Sequence, residues 1–489
     1  MSFREKFLRR WFGLRRRGIE NFMRHPHEVQ RRTLSELLSR GAATDFGRRY
    51  DVGLMESVED FQSGVPLSDY DSFSGYVRQM LDGGRDVTAR GRVRLFARSS
   101  GTTSDRSKYI PVTRRALWND HLRGMRDVVT LYLAACPDSK ILDGKTLTLG
   151  GTCSSRNGVT TGDLSALLML ETRMAGGWFR LPRTETALMA GFDEKVERIC
   201  RECTREHVTS FAGVPSWNLA MMRRVLEYTG RSDLHEVWPG LELFVHGGMG
   251  FAPYRKAFGE MFPSGDIRYM ETYNASEGFF AIADDLSRND MLLMLDYGTF
   301  YEFRDGRTVV PLEGVECGRS YAMIITSSNG LWRYELGDTV EFTSTSPYRI
   351  RITGRTRQFI NVFGEELILD NAERAVAAVC ARTGAVIGEY TVAPRYMSRE
   401  RRGAHEWIIE FSRRPGDMEE FARQLDGELM MLNSDYEAKR RSAMDPLQIS
   451  EVPCGTFRRW LDAAGKNKVP RLSNDRRVAD AVAGMVKER

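Results

Sequence analysis

The chain contains no apolar run near the ~20 residues that a bilayer-spanning helix needs. Its stretch at residues 164–170 is already broken by Ser165, so a membrane span is not expected. Cysteine is scarce and odd in number, seven in 489 residues, scattered from Cys136 to Cys454. That excludes a disulfide framework in a chain of this size and makes a reducing cytoplasm the expected compartment. Internal repeats, low-complexity tracts and coiled-coil heptads are missing, and the composition is compatible with a monomer. The N-terminal stretch also lacks the apolar core of a secretory signal. The cluster Cys200-x-x-Cys203-x-x-x-His207 resembles half of a zinc site but has no second ligand pair nearby. With Val196 and Ile199, these residues share one stripe of a helix expected from near Asp193, which favours core packing over metal.

What is present is an ordinary globular composition, 42% hydrophobic and 28% charged, and the length prior is about two to four domains. The net charge of +5 is unevenly placed. Residues 1–32 hold ten Lys/Arg against three Glu, a local +7, which leaves −2 for the rest. Phe3, Phe7, Trp11 and Leu14 fall on one face of this basic segment, so it reads as an amphipathic helix. A surface helix docked on the body is the expected arrangement. The alternative is attachment to an anionic surface or to nucleic acid.

Alternating helical and strand patterns favour an α/β fold. Helical stripes occur at 117–132, 196–207, 217–228 and 421–436. Strand-like runs occur at 93–97, 241–245, 291–295, 321–325, 340–342 and 407–411. Residues 291–363 are strand-rich, with turn signals at Asp305-Gly306 and Asn329-Gly330. A boundary near 350 divides the chain into a large domain, 1–350, and a small α+β domain, 351–489.

Chemistry concentrates in a few segments. Arg98-Ser-Ser-Gly-Thr-Thr-Ser-Asp-Arg-Ser-Lys-Tyr-Ile-Pro111 follows a strand and precedes Thr113, an expected helix N-cap. Small residues Ser99, Ser100, Gly101, Thr102 and Thr103 let backbone N–H groups approach an anion, and Lys108 adds a positive charge. The spacing is not that of a Walker A loop. Tyr273-Asn-Ala-Ser-Glu-Gly278 sets Glu277 in a small-residue turn, where a carboxylate could hold Mg²⁺ against a triphosphate. Gly330-Leu-Trp-Arg-Tyr-Glu-Leu-Gly-Asp338 ends in an acid suited to ribose hydroxyls, and Gly354-Arg-Thr-Arg-Gln-Phe-Ile-Asn-Val-Phe-Gly-Glu-Glu366 lies at the boundary. Taken singly, each reads equally well as an ordinary loop, turn acid or solvated strand.

In this order and spacing the segments resemble the Gretchen Hagen auxin-responsive acyl-acid amido synthetase family, within the adenylate-forming superfamily. Gly213-Val-Pro-Ser-Trp217, His246-Gly-Gly-Met249, Pro253-Tyr-Arg255, Leu432-Asn-Ser-Asp-Tyr436 and Lys468-Val-Pro-Arg471 extend the likeness over nearly the whole chain. Asp105 departs from it, since many relatives carry glycine there. The resemblance implies a large domain of mixed β-sheets, with a barrel-like subdomain flanked by helices, and a small mobile α+β domain swinging about 351–357. It implies ATP and Mg²⁺, held by Ser99, Ser100, Gly101, Thr102, Thr103, Lys108, Gly247, Gly248, Tyr273, Ser276, Asp338 and Arg355. Glu277 would be the metal ligand, and Lys468 with Glu277 the catalytic pair. Leu164, Leu167, Leu168 and Val214 would contribute to an acyl pocket, although a helical apolar stripe at 164–168 is as readily core.

The activity so implied joins a small carboxylic acid, through an acyl-adenylate, to an amine such as an amino acid, with no nucleic-acid partner. An acyl-CoA ligase sharing the first step is one alternative. A non-catalytic protein binding through its basic N-terminal helix is another.

Overall fold

A computed structural model of the chain describes residues 3–100, 107–173, 178–251, 254–265, 267–355, 359–398, 401–464 and 469–487. At its centre lies a 12-stranded mixed sheet. One half is parallel, with Arg180–Leu181, Lys145–Thr148, Val208–Gly213, Leu243–Gly247 and Arg268–Ala275 side by side in that order. Strands of this kind are covered by helices on their faces and therefore read as apolar runs. Pro215–Thr229 is one such helix, linking Val208–Gly213 to Leu243–Gly247.

From Arg268–Ala275 onward the pairings are antiparallel, through Gly278–Ile282, Met291–Leu293, Tyr348–Arg355, Tyr334–Thr345, Ser320–Ser327, Thr299–Asp305 and Thr308–Pro311. This half takes in the strands expected at 291–363. Asp305-Gly306 turns between two of its strands, with Gly306 at φ +57°. Tyr348–Arg355 pairs inside the same sheet, so residue 350 falls within a strand and the chain leaves the sheet only after Arg355.

The C-terminal part builds a three-stranded sheet from Val386–Arg395, Ala404–Arg413 and Gln448–Val452, flanked by helices. Its apolar core runs into that of the parallel half. Phe363, Trp407 and Tyr436 belong to one buried cluster with Leu147, Phe211 and Phe258. Ser216 Oγ donates to the Phe363 carbonyl at 2.7 Å, and Lys439 Nζ stands 3.8 Å over the Trp217 ring. The helix expected through 421–436 is interrupted. Met418–Leu432 stops at Asn433, whose side chain accepts from the N–H groups of Asp435 and Tyr436 and so starts Ser434–Ser442 afresh.

Two other expectations change. The helix Phe192–Cys203 ends at Cys203, so His207 lies beyond it and is exposed rather than on the buried stripe. Cys200 and Cys203 are core residues, their thiols pushed up to about 11 and about 12 by burial. The N-terminal helix Phe3–Arg24 does dock on the body, but through the face adjacent to the Phe7–Trp11–Leu14 stripe rather than through the stripe itself. Arg15 reaches Asp127 at 2.8 Å and Asp296 at 2.7 Å, and Ile19 and Phe22 are buried. Phe7, Trp11 and Leu14 face outward, 62%, 45% and 64% exposed. The docking face thus combines charge pairing to the buried Asp127 with the apolar burial of Ile19 and Phe22. Among the described residues, no helix is long and apolar enough to cross a membrane.

Candidate active site

Parallel strands bring their carboxyl ends to one edge of a sheet, and a crevice where the strand order switches is a recurrent ligand position. Here Leu243–Gly247 and Arg268–Ala275 end together, and the second is the strand at which the sheet turns antiparallel. A cleft of about 710 Å³ opens there. Lys108, Gly248, Tyr273, Ser276, Glu277 and Asp338 line it together, joined by Asn361, Glu366 and Asn474 from beyond the large sheet.

Local structure explains each position. Ser276 and Glu277 form the tight turn between Arg268–Ala275 and Gly278–Ile282, and Asn329 Nδ2 fixes that turn by donating to the Glu277 carbonyl at 3.0 Å. Gly247 admits no side chain, because a Cβ there would lie 2.4 Å from the Thr272 carbonyl oxygen. Gly248 follows at φ +81°, a conformation that favours glycine. The Tyr273 hydroxyl donates to Asp338 Oδ2 at 2.7 Å, tying two strands across the cleft.

The Ser/Thr-rich segment sits differently from expectation. A second strand, Ser107–Val112, runs antiparallel to Leu95–Ser100, with Ser99 opposite Lys108 and Ser100 opposite Ser107. Thr113 caps the helix that follows this second strand, as expected, accepting from Ala116 N at 3.1 Å. Lys108 Nζ lies 5.6 Å over the Tyr70 ring, and the Tyr70 hydroxyl accepts from Tyr109 N at 2.9 Å. Gly101, Thr102, Thr103, Asp105 and Lys468 lie outside the described residues, and Ser99, Ser100 and Arg355 are described by their backbone alone.

Among the described residues, acids dominate the wall: Asp69, Asp71, Glu271, Glu277, Glu335, Asp338 and Glu366, against Lys108, Arg304 and Arg351. Burial holds the Glu277 carboxyl above the usual carboxylate range. Lys108 draws it back down, while Asp338 and Glu366 add to the rise. Burial likewise raises Glu271. Among the described residues no group of three or more His, Cys, Asp or Glu is placed to hold a metal. A single carboxylate raised by burial and by neighbouring acids nevertheless fits Mg²⁺, which usually takes one or two protein carboxylates and fills its shell with substrate oxygens and water.

The motif arginine Arg333 does not enter the cleft. It is buried at φ +42°, grips Glu302 through Nε (3.1 Å) and Nη2 (2.9 Å), and donates from Nη1 to the carbonyls of Gln62 and Val65. Its own carbonyl accepts from Ser68 N at 2.9 Å. This anchorage delivers Asp69, Tyr70 and Asp71 to the cleft wall. Sequence reading missed these three; the available signal was Asp69 capping the helix Tyr70–Leu81. Leu167 and Leu168 are core residues with Leu164 packed against the same cluster, and none of the three is at the cleft wall. Val214 lies beside Gly248, 3.6 Å from where its Cβ would be.

Comparison with known proteins agrees with this architecture. Three family models match the chain: the GH3 family N-terminal domain over residues 15–267, its central domain over 292–355 and its C-terminal domain over 370–477. Indole-3-acetic acid-amido synthetase GH3.4 of Arabidopsis thaliana is 22% identical, with 93% of this chain and 90% of that protein covered. Probable indole-3-acetic acid-amido synthetase GH3.1 of the same plant is 23% identical over 94% and 91%. Among solved structures, the AtGH3.15 acyl acid amido synthetase in complex with 2,4-DB superposes with a TM-score of 0.62 at 18% identity, over 94% of each chain. 2-Hydroxyisobutyryl-CoA ligase, in complex with 2-HIB-AMP and CoA, gives 0.57 at 16% identity over 95% and 92%. The chain belongs to the GH3 family.

Proposed function

We propose that this protein is an ATP-dependent acyl-acid amido synthetase. In the first half-reaction a carboxylate oxygen attacks the α-phosphorus of ATP and the bond to pyrophosphate breaks, giving an acyl-adenylate. In the second, an amine nitrogen attacks the acyl carbon, AMP departs and the amine loses a proton. The observation carrying this reading is the convergence of Lys108, Glu277 and the Tyr273–Asp338 pair on one cleft at the strand ends.

No protein nucleophile is required, so catalysis is positioning and charge neutralisation. Ser99, Ser100, Thr102 and Thr103 take the phosphates, with Lys108 beside them. Asp338 takes the ribose, its carboxylate oriented by Tyr273; Gly247, Gly248 and Tyr273 flank the adenine. Glu277 holds Mg²⁺, which when bound neutralises triphosphate charge. Lys468 stabilises charge on the phosphate and carboxylate, carried there by rotation of the small domain.

A thiol acceptor is the competing reading, since a CoA ligase shares the fold. The amine is favoured because curated relatives matched along about nine-tenths of their length are amido synthetases. Acid-dependent ATP–pyrophosphate exchange against a carboxylic-acid library tests the first half-reaction. AMP release with the best acid, comparing an amino-acid panel with CoA, tests the second. No exchange with any acid overturns the proposal, and thioester formation without amide formation replaces the acceptor.

A further inference from the structure

A second cavity, of about 690 Å³, lies away from the nucleotide cleft and has the opposite charge. Its lining includes seven arginines, Arg40, Arg85, Arg90, Arg92, Arg94, Arg114 and Arg115, and a single carboxylate, Glu171, among the described residues. They converge from three elements. Arg40 comes from the helix Pro26–Gly41, Arg114 and Arg115 from the start of the helix after the Leu95–Ser100/Ser107–Val112 hairpin, and the other four from the loop that leads from the helix Tyr70–Leu81 into Leu95–Ser100.

The sequence of that loop explains the convergence. Arg92-Val-Arg94 follows the turn at Gly91 (φ +85°), and in an extended segment alternate side chains share a face. Val93 turns inward and is buried, while Arg92 and Arg94 are exposed. Asp86 tightens the turn by accepting from Gly91 N at 2.7 Å, and Arg85 pairs with Arg92 in a short antiparallel bridge. The loop is held to the body where Trp332 Nε1 donates to the Thr88 carbonyl at 3.0 Å.

Ion pairs absorb two of the seven: Arg90 lies 3.5 Å from Asp86 and Arg115 2.7 Å from Glu36. Among the described residues, no carboxylate pairs with Arg40, Arg85, Arg92, Arg94 or Arg114. Five uncompensated guanidinia around one cavity repel one another, a cost that a bound anion would remove. Leu95, Leu117 and Trp332 supply apolar lining beside them, and the volume is that of a small-molecule site.

We infer that this cavity is a second ligand site, for a small soluble molecule carrying at least two phosphoryl groups. Guanidinium forks match phosphoryl oxygens in pairs, and several forks converging here match more than one phosphate. The site is separate from the nucleotide cleft. Leu95 and Val112, which line it, pair at one end of the hairpin whose other end carries Lys108 and residues 101–106, a strand length of ~15–20 Å away. The inference does not depend on the reading of the nucleotide cleft.

The probe is inorganic tripolyphosphate, titrated calorimetrically into full-length Lys108→Ala protein, in which the nucleotide cleft has lost a phosphate-directed charge. One site per chain is expected, with affinity weakened at least ~10-fold when Arg85→Ser, Arg92→Ser and Arg94→Ser are added, and weakened by raised salt. Arg114→Ser, on a different element, gives a second route to the same loss if the loop variant folds poorly. No tripolyphosphate binding, or equal binding after either set of substitutions, overturns the inference. So does binding confined to anionic vesicles or to a short RNA, which would make the arginines a macromolecular surface.

Discussion

The Tyr273 hydroxyl and the Asp338 carboxylate meet at 2.7 Å, joining the strand on which the sheet reverses to a strand of its antiparallel half. Tyr273 is buried, and its ring packs edge-on against Phe280 with centroids 5.0 Å apart. Tyr273→Phe keeps that packing and removes only the donor. A hydrogen bond to a charged acceptor contributes ~1.5–3 kcal/mol to stability, so the variant should melt somewhat lower, and kcat/KM for ATP in pyrophosphate exchange should fall about 10- to 100-fold as Asp338 loses its orienting donor. An unaltered ATP dependence would mean that Asp338 needs no orienting partner.

Glu277 separates stability from activity. Its charge is kept in a site that burial, Asp338 and Glu366 all make unfavourable. Glu277→Gln removes that charge, so without nucleotide the variant should be at least as stable as the parent at neutral pH. Exchange should fall ~10²–10³-fold, the usual loss for one preorganised electrostatic group. A variant that is both inactive and strongly destabilised would reassign Glu277 to a structural role.

Arg333 predicts the reverse split. Its guanidinium is 6% exposed against a fully buried Glu302 side chain, and removing one partner of such a pair costs ~3–5 kcal/mol. Arg333→Met should lower urea-denaturation stability by about that amount. Replacing both partners, as Arg333→Met with Glu302→Leu, should recover part of it. If Arg333→Met melts like the parent but loses exchange, the residue acts on substrate after all.

The site was legible where chemistry crowds into short segments. Tyr273, Ser276 and Glu277 are consecutive or nearly so, and Gly337-Asp338 falls in the strand Tyr334–Thr345, so the resemblance of these short segments to the family's, and not any one of them alone, carried them. Asp69 to Asp71 were illegible because they arrive through Arg333, some 260 residues further along the chain, and no local pattern encodes a contact at that separation. The strand Ser107–Val112 was missed because Pro111 and the polar start of the segment mask its register with Leu95–Ser100. The outward turn of Phe7, Trp11 and Leu14 had the same cause as the hidden loop: Asp127 and Asp296, distant in sequence, decide which face of the N-terminal helix docks.

Leu167 tests the core assignment directly. It is fully buried among apolar neighbours, so Leu167→Ala should cost ~2–5 kcal/mol through lost transfer energy and a cavity. The KM for the acid should stay within about twofold of the parent value. A raised KM with little change in stability would return residues 164–168 to the acyl pocket.

Two buried histidines contribute to the acid sensitivity of stability. Burial pushes His121 down to about 4 and His246 down to about 3, against ~6.5 in an unfolded chain. Below pH ~6.5 the unfolded chain takes up protons that the folded chain refuses, so their stabilising contribution is complete above that value and is lost as pH falls toward 4 and 3. By pH 5 the loss is about 2 kcal/mol for each. His246 stacks on Phe251 at 4.2 Å between ring centroids, so His246→Phe should keep the packing while deleting the titration. Urea denaturation at pH 7 and pH 5 should then show the variant losing about 2 kcal/mol less than the parent across that interval. Equal losses would place His246 in a setting where it accepts a proton without cost, and would move the acid sensitivity to other groups.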